Sequence, residues 1–315
     1  MWRRAAPGAL LAAAALIAAG LAPASGGAPE PGLERVCDGL EFPEGPAWDG
    51  RGHLFVSNCG ADYITRVALD GALVRRWLSA ADTGPGGFRR TNGMAVHRDG
   101  SLFACDFGRN AIVRVRPDRR CEVVADRCED RPFRGPNDLA FDPKGNLYFT
   151  DPVGSNEHSP VGCVYLVERG TRRVRRVAEG MAFPNGVALS ADARWLYVAE
   201  SRYFRVVRFP IREDAALGEM EPWCQLPANG DPDGMAFDRA GNLWVAQFGL
   251  GAVRVIDPSG RIARSVTMPG RTPTNLEFAG KGLRTLYITE PETKSLYRLR
   301  VEAGGQPLFC APRPR

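Results

Sequence analysis

Six side chains that carry oxygen, Glu44, Asn92, Asn137, Asn185, Asp233 and Asn275, head six similar runs spaced 48, 45, 48, 48 and 42 residues apart. The runs read EGPAWDGRGHLFVS, NGMAVHRDGSLFAC, NDLAFDPKGNLYFT, NGVALSADARWLYVA, DGMAFDRAGNLWVA and NLEFAGKGLRTLYIT. Carboxylate and amide oxygens gathered without His or Cys suit a hard cation, and the two carboxylates would neutralise a divalent one. Calcium is the first candidate, with magnesium, manganese and zinc as alternatives. Asn and Asp before Gly are also ordinary turn residues that bond their own backbone. Turn chemistry accounts for two or three of the six and does not account for Glu44, so a metal site explains more of the set.

A ring of such residues needs six equivalent elements to carry it. Each run divides into an apolar-biased stretch, a turn with Asp or Gly, and a second apolar stretch. A third, alternating run follows over 64–69, 111–116, 163–168, 204–211, 252–257 and 295–301. Fourth runs follow over 73–78, 121–125, 173–178, 220–226 and 262–268. The period of two marks half-buried strands, and a repeat of this length holds four of them. The pattern predicts an all-β chain: a six-bladed β-propeller with four-stranded antiparallel blades over residues 33–310. The sixth blade takes its fourth strand from 33–37, which would close the ring by pairing the chain ends, or from 306–310.

Equivalent register places the six residues around the propeller axis at one end. If the first strand of each blade runs away from that end, the second returns to it. Its last residue then delivers Asn58, Asp106, Asp151, Glu200, Gln247 and Glu290 beside the site, and Asp151 and Glu200 are candidates to bind substrate. His53 and His97 fall in hairpin turns at the opposite end. His158 lies on the long 152–160 connection, where a loop position accounts for it better than substrate contact does.

The chain has 315 residues and a net charge of +5, with 36 glycines and 25 prolines distributed as turns. Its paired arginines are scattered near turns and lack interleaved aromatics, which argues against a nucleic-acid partner. Trp2, Arg3 and Arg4, an apolar stretch over 9–19 and Ala22-Pro23-Ala24 form a signal-peptide pattern in residues 1–24, too short an apolar run to span a bilayer. A flexible segment over 25–32 and a tail over 311–315 flank the propeller. The expected setting is the periplasm or the exterior, without stable membrane insertion, as a monomer. Eight cysteines in an exported chain permit disulfides, and a Cys37 to Cys310 bridge would reinforce ring closure. No nucleophile elbow, P-loop or dinucleotide fingerprint is evident, so hydrolytic chemistry would depend on the metal.

FPEGPAWD around Glu44, GPNDLAFDPKGNLYFTDP around Asn137, FPNGVALS around Asn185 and DPDGMAFD around Asp233 resemble the SMP-30/gluconolactonase/LRE family, in order and over residues 33–309. The resemblance implies a divalent cation held by Glu44, Asn137, Asn185 and Asp233, which leaves Asn92 and Asn275 to line the channel or meet substrate. It implies a small-molecule lactone or ester as substrate, since members open lactones and relatives hydrolyse organophosphates. Some members place a substrate-binding arginine two residues before the blade-three Asn. Here that position is Gly135, with Arg134 one residue further back, a departure that bears on sugar-lactone specificity.

The chemistry so implied is opening of a cyclic ester, with the cation polarising the carbonyl and a carboxylate activating water. Asp233 is the first choice as base by resemblance. Asp138 is its rival, because a carboxylate touching a cation is a weakened base. A phosphotriesterase-like hydrolase on the same metal and a non-catalytic propeller with NHL-like repeats are the alternatives. The second has no need of oxygens converging on the axis.

Overall fold

The computed structural model describes residues 28–69, 71–84 and 86–310. The expected signal peptide (1–24) and C-terminal tail (311–315) lie outside the described residues. Strand β1 (Leu33–Cys37) comes first. Blade one follows as β2 (Pro43–Trp48), β3 (His53–Asn58), β4 (Tyr63–Ala68) and β5 (Leu73–Ser79). Blade two is β6 (Thr91–Val96), β7 (Leu102–Asp106), β8 (Ala111–Val115) and β9 (Cys121–Ala125). A two-residue ribbon, β10 (Arg127–Cys128) with β11 (Arg131–Pro132), leads into blade three. That blade is β12 (Leu139–Phe141), β13 (Leu147–Asp151), β14 (Gly162–Val167) and β15 (Val174–Met181). Blade four is β16 (Pro184–Leu189), β17 (Trp195–Glu200), β18 (Arg205–Pro210) and β19 (Glu221–Gln225). Blade five is β20 (Asp231–Phe237), β21 (Leu243–Phe248), β22 (Ala252–Ile256) and β23 (Ile262–Thr267). Blade six holds β24 (Leu276–Ala279), β25 (Thr285–Glu290) and β26 (Ser295–Arg300).

The fourth strand of blade six is β1, paired antiparallel with β26 through Leu33↔Leu299 and Arg35↔Tyr297. The chain ends therefore close the ring within one sheet. Just ahead of β1, in the segment expected to be a flexible lead-in, the Glu30 N–H donates to Thr267 O at 2.9 Å. Residues 306–310 take another course and cross the end of the axis opposite the ring. The Gln306 N–H donates to Phe237 O at 3.0 Å, and Phe309 stacks on Phe141 with ring centroids 4.7 Å apart. All eight cysteines are thiols; Cys37 and Cys310 share an apolar cluster and are not bridged.

Each blade is buried on both faces, so alternation in its second strand feeds two interfaces. Ala104 packs toward blade one and Cys105 toward blade three; Tyr148 packs toward blade four and Phe149 toward blade two. The apolar residues form six clusters, one for each neighbouring pair of blades. The hairpin Asp residues hold the turns. Asp142 Oδ1 accepts the Asn146 N–H at 2.8 Å, and Asp238 Oδ1 accepts those of Ala240 and Asn242 at 2.9 Å each. No described helix is long and apolar enough to cross a membrane.

Candidate functional site

Four of the six ring residues sit in the inner strand at a bulge. Between Glu44 and Ala47 the inner strand advances three residues while its partner advances two, from Ser57 to Phe55. The same slip occurs between Thr91 and Met94, Pro184 and Val187, and Pro232 and Met235. A bulge re-aims one side chain out of the pleat, here toward the axis for Glu44, Asn92, Asn185 and Asp233. The glycine after each is a packing requirement. A Cβ on Gly45 would lie 2.3 Å from Asn92 O, one on Gly186 2.2 Å from Asp233 O, and one on Gly234 2.1 Å from Asn275 Cγ. Adjacent blades therefore meet backbone to backbone at the ring.

Hydroxyls reinforce that contact. Ser57 Oγ donates to Asn92 O (2.6 Å), Thr150 Oγ1 to Asn185 O (2.7 Å), Ser201 Oγ to Pro232 O (2.7 Å) and Thr274 Oγ1 to Pro43 O (2.8 Å). These residues were not singled out in the sequence. Two of them, Ser57 and Thr150, share a place in the repeat, one residue before the second-strand terminus.

Glu44, Asn92, Asn137, Asn185 and Asp233 line one cavity of about 360 Å³, within the range of small-molecule sites. Asn275 and Asp138 line a second, deeper cavity of about 140 Å³ that residues 306–310 close. Asn275 stands between the two levels, its side-chain amide near enough to Glu44 and to Asp138 to hold both carboxyls lower than burial alone would. Asp138 Oδ2 also accepts the Val187 N–H at 3.1 Å.

The electrostatics of the ring are those of crowded anions. Burial, and then the charge of Asp138, push Glu44 up to about 8. Burial raises Asp233 well above the usual carboxylate range, with further repulsion from Glu44, Asp138 and Asp231. Asn92 Oδ1 and Asn185 Oδ1 are buried without a hydrogen-bond partner, a costly state for an acceptor. Mutually repelling carboxylates beside amide oxygens that lack a donor are a donor set fitted to a hard cation. Among the described residues no group of three or more His, Cys, Asp or Glu is arranged to hold a metal. A cation here would therefore draw on amide oxygens as well as on Glu44 and Asp233.

The second-strand termini do not reach this cavity. Each turns away to pin the connection that leads into its own blade. Asn58 Oδ1 accepts the Glu41 N–H (2.9 Å), and Asp106 accepts those of Arg89 and Arg90 (2.8 and 2.9 Å). Asp151 accepts the N–H groups of Arg134 and Gly135 (2.9 and 2.8 Å). Glu200 Oε1 accepts that of Ala182 (2.8 Å) while Oε2 pairs with Arg205 (2.6 Å). Gln247 donates to Pro227 O and Gly230 O, and Glu290 accepts from Thr272. Asp151 and Glu200, read from the sequence as substrate contacts, thus lie behind the cavity wall with their oxygens committed. The His158 side chain is 89% exposed beside Glu157. His53 pairs with Asp49, and His97 packs on Phe309 at the opposite end.

Comparison with known proteins gives a match of residues 41–291 to the family described as the SMP-30/gluconolactonase/LRE-like region. Diisopropyl-fluorophosphatase of Loligo vulgaris is 28% identical over 305 residues, covering 89% of this chain and 96% of its own. Gluconolactonase of Zymomonas mobilis is 28% identical over 304 residues, covering 87% of this chain and 82% of its own. The structure of a gluconolactonase from Xanthomonas campestris superposes with a TM-score of 0.74 at 28% identity, over 86% of this chain and 89% of that one.

Proposed function

This chain belongs to the SMP-30/gluconolactonase/LRE-like family, and on that premise we propose that it is a metal-dependent ester hydrolase, a lactonase that opens a cyclic ester. One observation carries the reading. Two buried carboxylates and two partnerless amide oxygens converge on the axial end of a cavity of ligand size. Glu44, Asn137, Asn185 and Asp233 would hold the cation, calcium first among the candidates. When bound, it would supply a Lewis acid for the lactone carbonyl oxygen.

The chain's own residues do the rest. Asp233, which lines the cavity, is assigned to take the proton from the attacking water. The Asn185 amide beside Asp233 favours the charged form of its carboxyl, and the Asn275 amide does the same for Glu44. Asn92 faces the cavity with Oδ1 unengaged and is placed to accept a hydrogen bond from water or substrate. Asp138 faces the deeper cavity, so its part is to hold the ring rather than to meet substrate. The export pattern of residues 1–24 makes the periplasm or the exterior the proposed setting, with the chain acting as a monomer.

Hydrolysis of a neutral phosphotriester on the same site is the second reading, favoured by the likeness to diisopropyl-fluorophosphatase. A panel of aldonolactones, aliphatic lactones, aryl esters and phosphotriesters, assayed with and without chelator, tests the proposal. Lactone turnover that a chelator abolishes and calcium restores is the expected result. Turnover indifferent to chelator, or confined to phosphotriesters, overturns it.

A further inference from the structure

The wall of the cavity has a chemistry of its own. Four phenylalanines line it, Phe42, Phe107 and Phe183 from connections and Phe248 from the end of β21, with Val153 from blade three. Phe42 and Phe183 have φ of 50° and 60°, the left-handed region where glycine is the easy choice and a bulky residue an outlier. Their backbones are held there on both sides. Phe42 O accepts the Cys59 N–H at 3.0 Å and Phe183 O that of Ser201 at 3.1 Å, behind the Asn58 and Glu200 clamps on Glu41 and Ala182. Two blades thus keep a phenyl ring at a position whose turn geometry asks for none. The use of the side chain, not of the turn, explains that.

Away from the ring, each polar side chain of the wall has a partner within the protein. Ser155 Oγ donates to Met181 O and accepts the Phe183 N–H, and Ser201 Oγ donates to Pro232 O. Asn156 Oδ1 accepts two backbone N–H groups, at 2.9 Å each. Arg202, the one basic residue among the described lining, is paired with Asp231 at 3.0 Å. At Gly135 a Cβ would lie 2.4 Å from Val153 Cγ2 and 3.0 Å from Phe107 Cε2. No longer, polar side chain fits there unless both residues move.

We infer that this cavity selects a neutral lactone bearing an alkyl or aryl arm and discriminates against polyhydroxylated sugar lactones; this rests on the hydrolytic reading above. Sugar hydroxyls brought against phenyl rings lose water without finding a partner, whereas an apolar arm gains by leaving water.

The test compares an alkyl-substituted δ-lactone with glucono-δ-lactone on the calcium-loaded full chain, in wild type and Phe183→Gly. Glycine suits the left-handed backbone, so the fold is kept; Phe107→Leu is the second variant. The expected kcat/KM is about a hundredfold higher for the alkyl lactone, and Phe183→Gly raises its KM about tenfold while leaving that of glucono-δ-lactone within about twofold. An equal or higher kcat/KM on glucono-δ-lactone, or the same KM change for both substrates, overturns the inference. If neither lactone turns over, the hydrolytic reading fails and calorimetry with an alkyl-substituted δ-lactam decides the selectivity. Binding that Phe183→Gly weakens, and that a hydroxylated lactam does not match, sustains it; no preference overturns it.

Discussion

Glu200 separates two accounts of the ring's surroundings. Its side chain is fully buried, takes the Ala182 N–H at 2.8 Å and pairs with Arg205 at 2.6 Å. In Glu200→Ala the buried N–H loses a charged acceptor, a loss of about 1.5–3 kcal/mol. The Arg205 side chain is 24% exposed and can partly rehydrate, so the broken pair adds about 1 kcal/mol. The sum is about 3 kcal/mol, or a fall in Tm of roughly 5 °C for a domain of this size. Glu200→Gln keeps the acceptor for Ala182 and loses only the charge on the Arg205 side, at about 1 kcal/mol. The assay pairs thermal unfolding with lactone kinetics for the two variants. A clamp predicts graded destabilisation with kcat nearly intact in the glutamine variant. Unchanged stability with kcat reduced a hundredfold in Glu200→Gln would refute the clamp and return Glu200 to the substrate.

Other outcomes follow from the same geometry. Asp233→Asn leaves the fold intact and lowers kcat on lactones by about 10³-fold, the scale of a lost general base; wild-type turnover in that variant removes Asp233 from the mechanism. Gly93→Ala places a Cβ 2.2 Å from Asp138 Oδ1 and 2.6 Å from Asp138 Cα, so denaturant unfolding reads a loss of about 3 kcal/mol from overpacking. Phe309→Ala removes ring contacts with His97 and Phe141 and the Arg98 guanidinium 4.0 Å from its centroid. It lowers stability by about 2 kcal/mol without changing KM, because Phe309 lies at the far end of the axis.

The repeat was legible because its signals are local. A turn Asp bonding the next N–H groups recurs in most blades, and blades buried on both faces need apolar residues in both phases. The ring was legible for the same reason, since register repeats with the turn. Four things were not. Whether a carboxylate at a strand end faces a cavity or an incoming connection depends on backbone N–H groups 16–18 residues away, as at Asp151 and Glu200. The reason for Gly45, Gly186 and Gly234 lies in the neighbouring blade. The choice of β1 over residues 306–310 as closing strand rests on pairing across the whole chain. The β10–β11 ribbon, two residues a side, is too short to leave a period.

The central claim is that the ring holds a cation, and calcium titration calorimetry on chelator-treated protein tests it most directly. The account predicts a saturable site that Glu44→Gln and Asp233→Asn each weaken strongly, with calcium raising the Tm of wild type by mass action. Absence of calcium binding, or binding that survives both substitutions unchanged, would contradict it.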